Sequence, residues 1–201
     1  FFYHRHNDFW YGKAMWKLPP LLDSTSMLTC AEDLGMIPDC VPEVMDRLQI
    51  LSLEIQRMPK DTGTEFGDTW HYPYYSVCTT SSHDMAGIRG WWESDRDATQ
   101  RFYSHVLHES GNAPHFAEPW ICDKIISLHL ESPSMLCILP LQDWMSCDGS
   151  LRRENPNDEQ INDPSNPRHY WRYRMHLTVE ELMRKDSFNA AMRQRISESK
   201  R

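Results

Sequence analysis

The stretch Met27-Leu28-Thr29-Cys30-Ala31-Glu32-Asp33-Leu34-Gly35 sets a short, largely apolar run directly before two carboxylates and a glycine. A run of that length, bounded by polar residues, suits a strand buried on both faces better than an amphipathic helix. Glu32 and Asp33 then stand at the strand's carboxyl end. The pattern recurs downstream: residues 50–55, 72–78 and 135–141 read as further strands. Between them, residues 42–48, with Pro42 at the first helical position, and residues 87–107 and 119–130 have helical composition. A first helix over residues 8–22 is expected to stop at Pro19-Pro20. Residues 60–70 and 152–168 read as loops, and a tail helix over about 178–198 starts with a capping box, Thr178 and Glu181. Strands alternating with helices predict an α/β fold with a parallel sheet, whose functional residues project from the carboxyl ends of the strands. About four such units make a partial (β/α)8 TIM barrel, with two unpaired edges to be covered, a homo-oligomer through those edges being one means.

Composition narrows the partners. With 201 residues, 40% hydrophobic and 25% charged, the chain falls in the range of an ordinary globular protein. A net charge of −8 argues against nucleic acid, whose phosphates call for clustered Lys and Arg. The longest apolar runs fall far below the roughly 20 residues of a membrane-spanning helix, so no membrane partner is expected. Six cysteines without a C-x-x-C pair, or metal-ligand spacing with the ten histidines, read as buried reduced thiols in a cytoplasmic protein. No metal and no cofactor is called for. The opening Phe1-Phe2-Tyr3, without an initiator Met, is expected of a piece cut from a longer polypeptide.

Three polar clusters follow strand ends. Glu32-Asp33 closes the first, and Thr79-Thr80-Ser81-Ser82-His83-Asp84 follows the third. Taken locally, Glu32-Asp33 reads first as a cap of the next helix or a partner for a Lys, and His83-Asp84 as a helix N-cap. Barrel geometry would instead bring them to one pocket. Trp70, Tyr72, Trp91, Trp92 and Trp144 lie in or beside strand-end loops, where aromatic rings can form platforms for sugars, or pack the core. Trp10 and Trp16 read as core, or as surface left by missing strands. In the third cluster Asn162, Asn166 and Arg172 can donate to sugar hydroxyls, or shape turns around Pro164 and Pro167.

Taken together these segments resemble the 4-alpha-glucanotransferase (amylomaltase, or disproportionating enzyme) family. Cys30-Ala31-Glu32-Asp33-Leu34-Gly35 is similar to the family's A/G-E-D-L-G segment, and Thr79 to Asp84 is similar to its T-x-x-H-D motif. The likeness continues through Leu139-Pro140-Leu141-Gln142-Asp143, residues 159–167 and Tyr170-Trp171-Arg172-Tyr173-Arg174-Met175. The wording looks closest to larger members that also carry amino-terminal starch-binding modules. The resemblance implies that Glu32 is the general acid/base, that Asp84 stabilises the transition state and that His83 helps hold the sugar. It also implies transfer of α-1,4-glucan segments from maltooligosaccharides to glucose or another glycan, in starch, glycogen or maltose metabolism.

One part of the family pattern is missing. The nucleophile is an Asp in an R-x-D motif at the end of the fourth barrel strand, upstream of the acid/base. Only 31 residues precede Glu32 here, and the single R-x-D, Arg184-Lys185-Asp186, falls in the tail helix. The chain therefore matches strands five to eight, as the carboxyl-terminal half of a catalytic barrel over residues 1–201. A retaining enzyme needs a second carboxylate roughly 5–5.5 Å from the acid/base, so the isolated chain is expected to be inactive. Glu32 in the whole enzyme would need a raised pKa to donate a proton. Two other functions stay open: an α-amylase-like glycoside hydrolase, and a non-catalytic glucan-binding domain.

Overall fold

The computed structural model describes residues 3–201, so the opening Phe1-Phe2, on which the reading of a cut end rests in part, lies outside the described residues. The fold is mixed α/β with a small sheet. The chain forms two compact units, one holding the residues up to Cys78 together with Pro133–Cys137, the other holding Thr79–Ser132 and Ile138–Arg201.

The first unit contains helices α1 (Asn7–Asp23) and α2 (Val41–Leu48) and strands β1 (Ser52–Ile55), β2 (Ser76–Thr79, whose last residue opens the second unit) and β3 (Leu136–Cys137). The sheet order is β1-β2-β3, and β2 pairs with β3 in parallel, Val77 opposite Leu136 and Cys78 opposite Cys137. All four residues of β2 are buried, as expected of a parallel strand covered on both faces. Its one serine is satisfied there: Ser76 Oγ bonds the Pro73 carbonyl at 2.6 Å and Ser134 Oγ at 2.7 Å. Val44, Met45, Ile50, Leu51, Ile55 and Val77 supply the core.

Three expectations change here. The strand expected over 27–31 is reduced to a parallel bridge between Cys30 and Leu51, with Ala31 N–H donating to Leu51 O and Leu51 N–H to Thr29 O. Among the described residues no strand pairs with its other edge, so Met27 and Leu28 are 76% and 55% exposed rather than buried. Helix α1 does not stop at Pro19-Pro20 but runs through both to Asp23, and it buries none of its residues. Close to the carboxyl end the missing N–H groups of Pro19 and Pro20 take only two bonds from the ladder. Trp10 and Trp16 on this helix are exposed, which removes them from the core. Strand β3 is shorter than expected, Leu136–Cys137: Ile138 and Leu139 belong to no regular element, and Pro140 is the N-cap of helix α6 (Leu141–Met145).

The second unit holds α3 (Ile88–Ser94), α4 (Arg96–His105), α5 (Pro119–Leu130), α6, α7 (Val179–Met183) and α8 (Asp186–Glu198). Trp92, Phe102, Ile121, Ile126 and Met145 are fully buried at its centre. The single helix expected over 87–107 is divided by Asp95, whose extended backbone lets its side chain accept from the N–H groups of Asp97 and Ala98, both at 3.0 Å. A good N-cap thus outcompetes helix continuation. The capping box at the tail forms as expected: Thr178 Oγ1 accepts from Glu181 N–H at 3.1 Å, and Glu181 Oε2 accepts from Thr178 N–H at 2.8 Å. The tail helix, however, breaks after Met183, where the Leu182 carbonyl accepts from Lys185 N–H at 3.1 Å and from Asn189 Nδ2 at 3.0 Å. Helix α8 is tied to α5 by the Arg195–Asp123 ion pair. All six cysteines are free, and only Cys78 and Cys122 are buried, with Cys30 exposed. Burial pushes the Cys147 thiol up to about 12 and raises Cys122 as well.

Candidate active site

In the first unit Glu32 and Asp33 follow the 29–31 segment, but their side chains part. Asp33 is buried: its Oδ1 accepts from Leu53 N–H at 2.8 Å and its Oδ2 pairs with Lys60 Nζ at 2.7 Å. Lys60 also pairs with Glu54 at 2.7 Å, and a cavity of about 480 Å³ adjoins Asp33, Glu54, Lys60 and the Tyr74–Tyr75 pair. Two acids and one partly exposed ammonium satisfy each other, so this cluster is an anchor for the loop. Glu32 lies exposed. Trp70, in the short 3₁₀ turn Thr69–His71 capped by Asp68, is 61% exposed. Tyr72, by contrast, is core, as are Trp92 and Trp144 of the second unit.

In the second unit the segment after β2 carries His83 and Asp84, both half-exposed, with His83 Nε2 lying 3.4 Å from Asp84 Oδ2. Asn162, which the sequence placed only in a long loop, meets them directly. Its Nδ2 donates to Asp84 Oδ1 at 2.5 Å, and its backbone N–H donates to the His83 carbonyl at 3.0 Å. The loop that delivers Asn162 is held from behind. Glu159, buried, accepts from Arg89 Nη1 at 2.7 Å and from Arg153 N–H at 3.0 Å, while Arg89 also reaches the Arg153 carbonyl. Burial pushes the Glu159 carboxyl above its ordinary value, against the pull of Arg89. Gln160 Nε2 closes the turn on the Asn162 carbonyl at 2.8 Å.

The remaining sequence candidates divide. Asn166 is a turn residue, its side-chain oxygen accepting from Arg168 N–H at 3.0 Å. Arg172 lies with its guanidinium over the Tyr170 ring, 5.6 Å from the centroid. Trp171, not singled out as a platform in the sequence, has its ring centroid 5.1 Å from that of His83, tilted by 51°, and remains 63% exposed. Its neighbours Tyr170 and Arg172 gave it away only as part of a motif. An acid with one oxygen held by an amide, a histidine beside it and an exposed indole at hand form a surface suited to a polyhydroxylated ring. The indole offers an apolar face and the polar groups supply hydrogen bonds at its edge.

Residues 3–178 match the profile described as 4-alpha-glucanotransferase. The chain is 38% identical over 201 residues to 4-alpha-glucanotransferase DPE2 of Oryza sativa subsp. japonica, covering all of this chain and 21% of that one. It is 31% identical over 176 residues to the 4-alpha-glucanotransferase of Chlamydia pneumoniae, covering 86% of this chain and 33% of its relative. In fold it is similar to the amylomaltase from Streptococcus agalactiae in complex with acarbose, with a TM-score of 0.64 at 18% identity over 86% of this chain and 32% of that one. The chain thus spans about a fifth to a third of the length of these proteins. A profile match through most of its residues, and relatives above 30% identity along nearly its whole length, mean that this chain belongs to the 4-alpha-glucanotransferase family.

Proposed function

We propose that the chain is the carboxyl-terminal half, strands five to eight, of a glucanotransferase barrel over residues 1–201. In it the 29–31 segment, β1, β2 and β3 are the successive strands, and Glu32, His83, Asp84, Trp70, Asn162, Asn166 and Arg172 serve the reaction and its substrate. The observation that carries the reading is membership of the family through residues 3–178, the stretch that includes every one of these side chains. Lateral order supports it as well: Cys30 bridges Leu51 in parallel, and the sheet continues β1-β2-β3 in chain order, as successive barrel strands would.

In the reaction, Glu32 protonates the glycosidic oxygen as the bond to the anomeric carbon breaks, and a carboxylate from another part of the polypeptide attacks that carbon to form a covalent glycosyl-enzyme. Glu32, now a carboxylate, takes the proton of an incoming sugar hydroxyl, which attacks the same carbon and releases the enzyme carboxylate. Glucose or a maltooligosaccharide is the acceptor, and the anomeric configuration is retained. Asp84, bonded to Asn162, and His83 hold the sugar hydroxyls more tightly as charge develops. The S. agalactiae amylomaltase, solved with acarbose, is consistent with an α-glucan-like ligand. The chain spans a fifth to a third of its relatives' length, and the nucleophile belongs to the remainder, so residues 1–201 alone are inactive. The reaction serves starch, glycogen or maltose metabolism in the cytoplasm, and within the isolated chain the open sheet edges pair with another copy.

The test is product analysis with maltotriose for the polypeptide that carries this chain and for residues 1–201 alone. Glucose together with maltopentaose and longer chains from the former, and nothing from the latter, is the expected result. Maltose and glucose in equal amounts, without longer products, would replace transfer with hydrolysis.

A further inference from the structure

We propose that Asp143 is a positioning residue for the reaction, fixing the segment that carries His83 and Asp84; this inference rests on the role proposed for Asp84. Asp143 lies in the first turn of α6 and is 1% exposed. Its Oδ2 accepts from Thr80 Oγ1 at 2.6 Å and from Ser81 Oγ at 2.8 Å, and its Oδ1 accepts from Ile88 N–H at 2.8 Å. These donors bracket residues 82–87 from both sides. Between the brackets the segment's own bonds are long: Met85 N–H reaches the Ser82 carbonyl at 3.4 Å and Asp84 N–H reaches Ser82 Oγ at 3.3 Å. Asp143 therefore holds both ends of the segment while Asn162 holds its middle.

The fit leaves no slack. A Cβ built on Gly87 would stand 2.7 Å from Asp143 Oδ1, so only glycine lets the backbone pass this close to the carboxylate. A buried carboxylate is costly unless its oxygens are filled. Three converging donors, two of them rotatable hydroxyls, fill them here and in return set the backbone on each side of Asp84. Catalysis requires such placement, since a displacement of about 1 Å can cost roughly 10²-fold in rate.

The hydroxyls make the proposal separable from a general loss of stability. In Asp143→Asn the amide oxygen can still accept from Ile88 N–H, while its NH₂ donates to Thr80 and Ser81, whose hydroxyls turn to accept. Asp143→Ala can do neither. Transfer from maltotriose is measured in the polypeptide that carries this chain, with the wild type, both variants, and Leu107→Ala, buried just past the end of α4, as a control for lost stability. For Asp143→Ala the expected result is a fall in kcat of about 10²-fold with KM moved by less than about threefold. Asp143→Asn keeps kcat within about threefold of wild type, and Leu107→Ala melts lower with kcat unchanged. Wild-type kcat in Asp143→Ala overturns the proposal, and so does an equal loss of kcat in Leu107→Ala.

If Asp143→Ala does not fold, Thr80→Val combined with Ser81→Ala removes two of the three bonds and is expected to lower kcat about tenfold; unchanged kcat there also overturns it. Should the wild type transfer no glucan, the functional reading fails by itself. Amide exchange over residues 82–88 then decides about Asp143, with faster exchange in Asp143→Ala expected and unchanged protection refuting it.

Discussion

Asn162 Nδ2 donates to Asp84 Oδ1 at 2.5 Å across 78 residues of sequence. One oxygen of the acid is thereby engaged by protein, while the other faces His83 at 3.4 Å. Asn162→Ala frees Asp84 to rotate away from a bound sugar. A hydrogen bond to a charged group is worth about 1.5–3 kcal/mol, so kcat/KM for transfer from maltotriose is expected to fall about tenfold to a hundredfold. Steady-state kinetics on the whole polypeptide check this. A loss below about twofold would show that Asp84 needs no such support.

Glu32 makes a sharper prediction. Glu32→Gln keeps the shape but has no proton to give the leaving oxygen, and general acid/base help is typically worth about 10²–10⁴ in rate. Transfer from maltotriose is expected to drop by that factor, while affinity for maltooligosaccharide, measured by calorimetry, stays within about twofold. Near-normal turnover would remove Glu32 from the chemistry.

The capping box links the tail to pH. Hydrogen bonds from Thr178 hold the Glu181 carboxyl below its ordinary value. A carboxyl depressed in the folded state stabilises above its unfolded pKa, and that contribution is lost as pH falls through the folded value. Glu181→Gln is therefore expected to lower Tm by about 1–3 °C near neutrality. The gap should close as the pH is lowered past the carboxylate range. A difference that persisted or grew in acid, followed by circular dichroism, would contradict the box as its source.

Trp92 tests the core of the second unit. It is fully buried against Phe102 and Tyr103, and its indole N–H donates to the Pro114 carbonyl at 3.0 Å. Trp92→Ala is expected to cost about 3–5 kcal/mol, seen as a lower urea midpoint with unchanged slope. A cost under about 1 kcal/mol would mean that the site collapses to fill the cavity.

Where a decision rested on neighbouring residues, the sequence by itself was enough. Thr178 and Glu181 announce their capping box because donor and acceptor lie three residues apart, and Pro42 marks the start of α2 because its missing N–H is free only there. The motif wording around Glu32 and His83-Asp84 likewise led to the family, since a motif is local by nature. The division of helix 87–107 at Asp95, and of the tail at Arg184-Lys185, escaped the reading because a side-chain cap and continued helix differ by little free energy. Only the fold decided between them.

What the sequence could not contain is the closure of loops. Asp143 reaches Thr80 across 63 residues, Glu159 reaches Arg89 across 70, and Lys60 joins Asp33 to Glu54. These buried and partly buried charges read as ordinary polar positions along the chain. Their partners are chosen by packing, which removes water from each carboxylate and leaves a distant donor as the remaining means of satisfying it. Burial of the 27–31 run also depended on what lies beside it: apolar composition called for a strand covered on both faces, but with no strand on its other edge among the described residues Met27 and Leu28 stay in water. Local chemistry thus named the acids and their family, while tertiary structure decided which of them anchor loops and which, like Glu32, are left exposed. A carboxylate's task depends on the donors and solvent around it, and those are set by the fold.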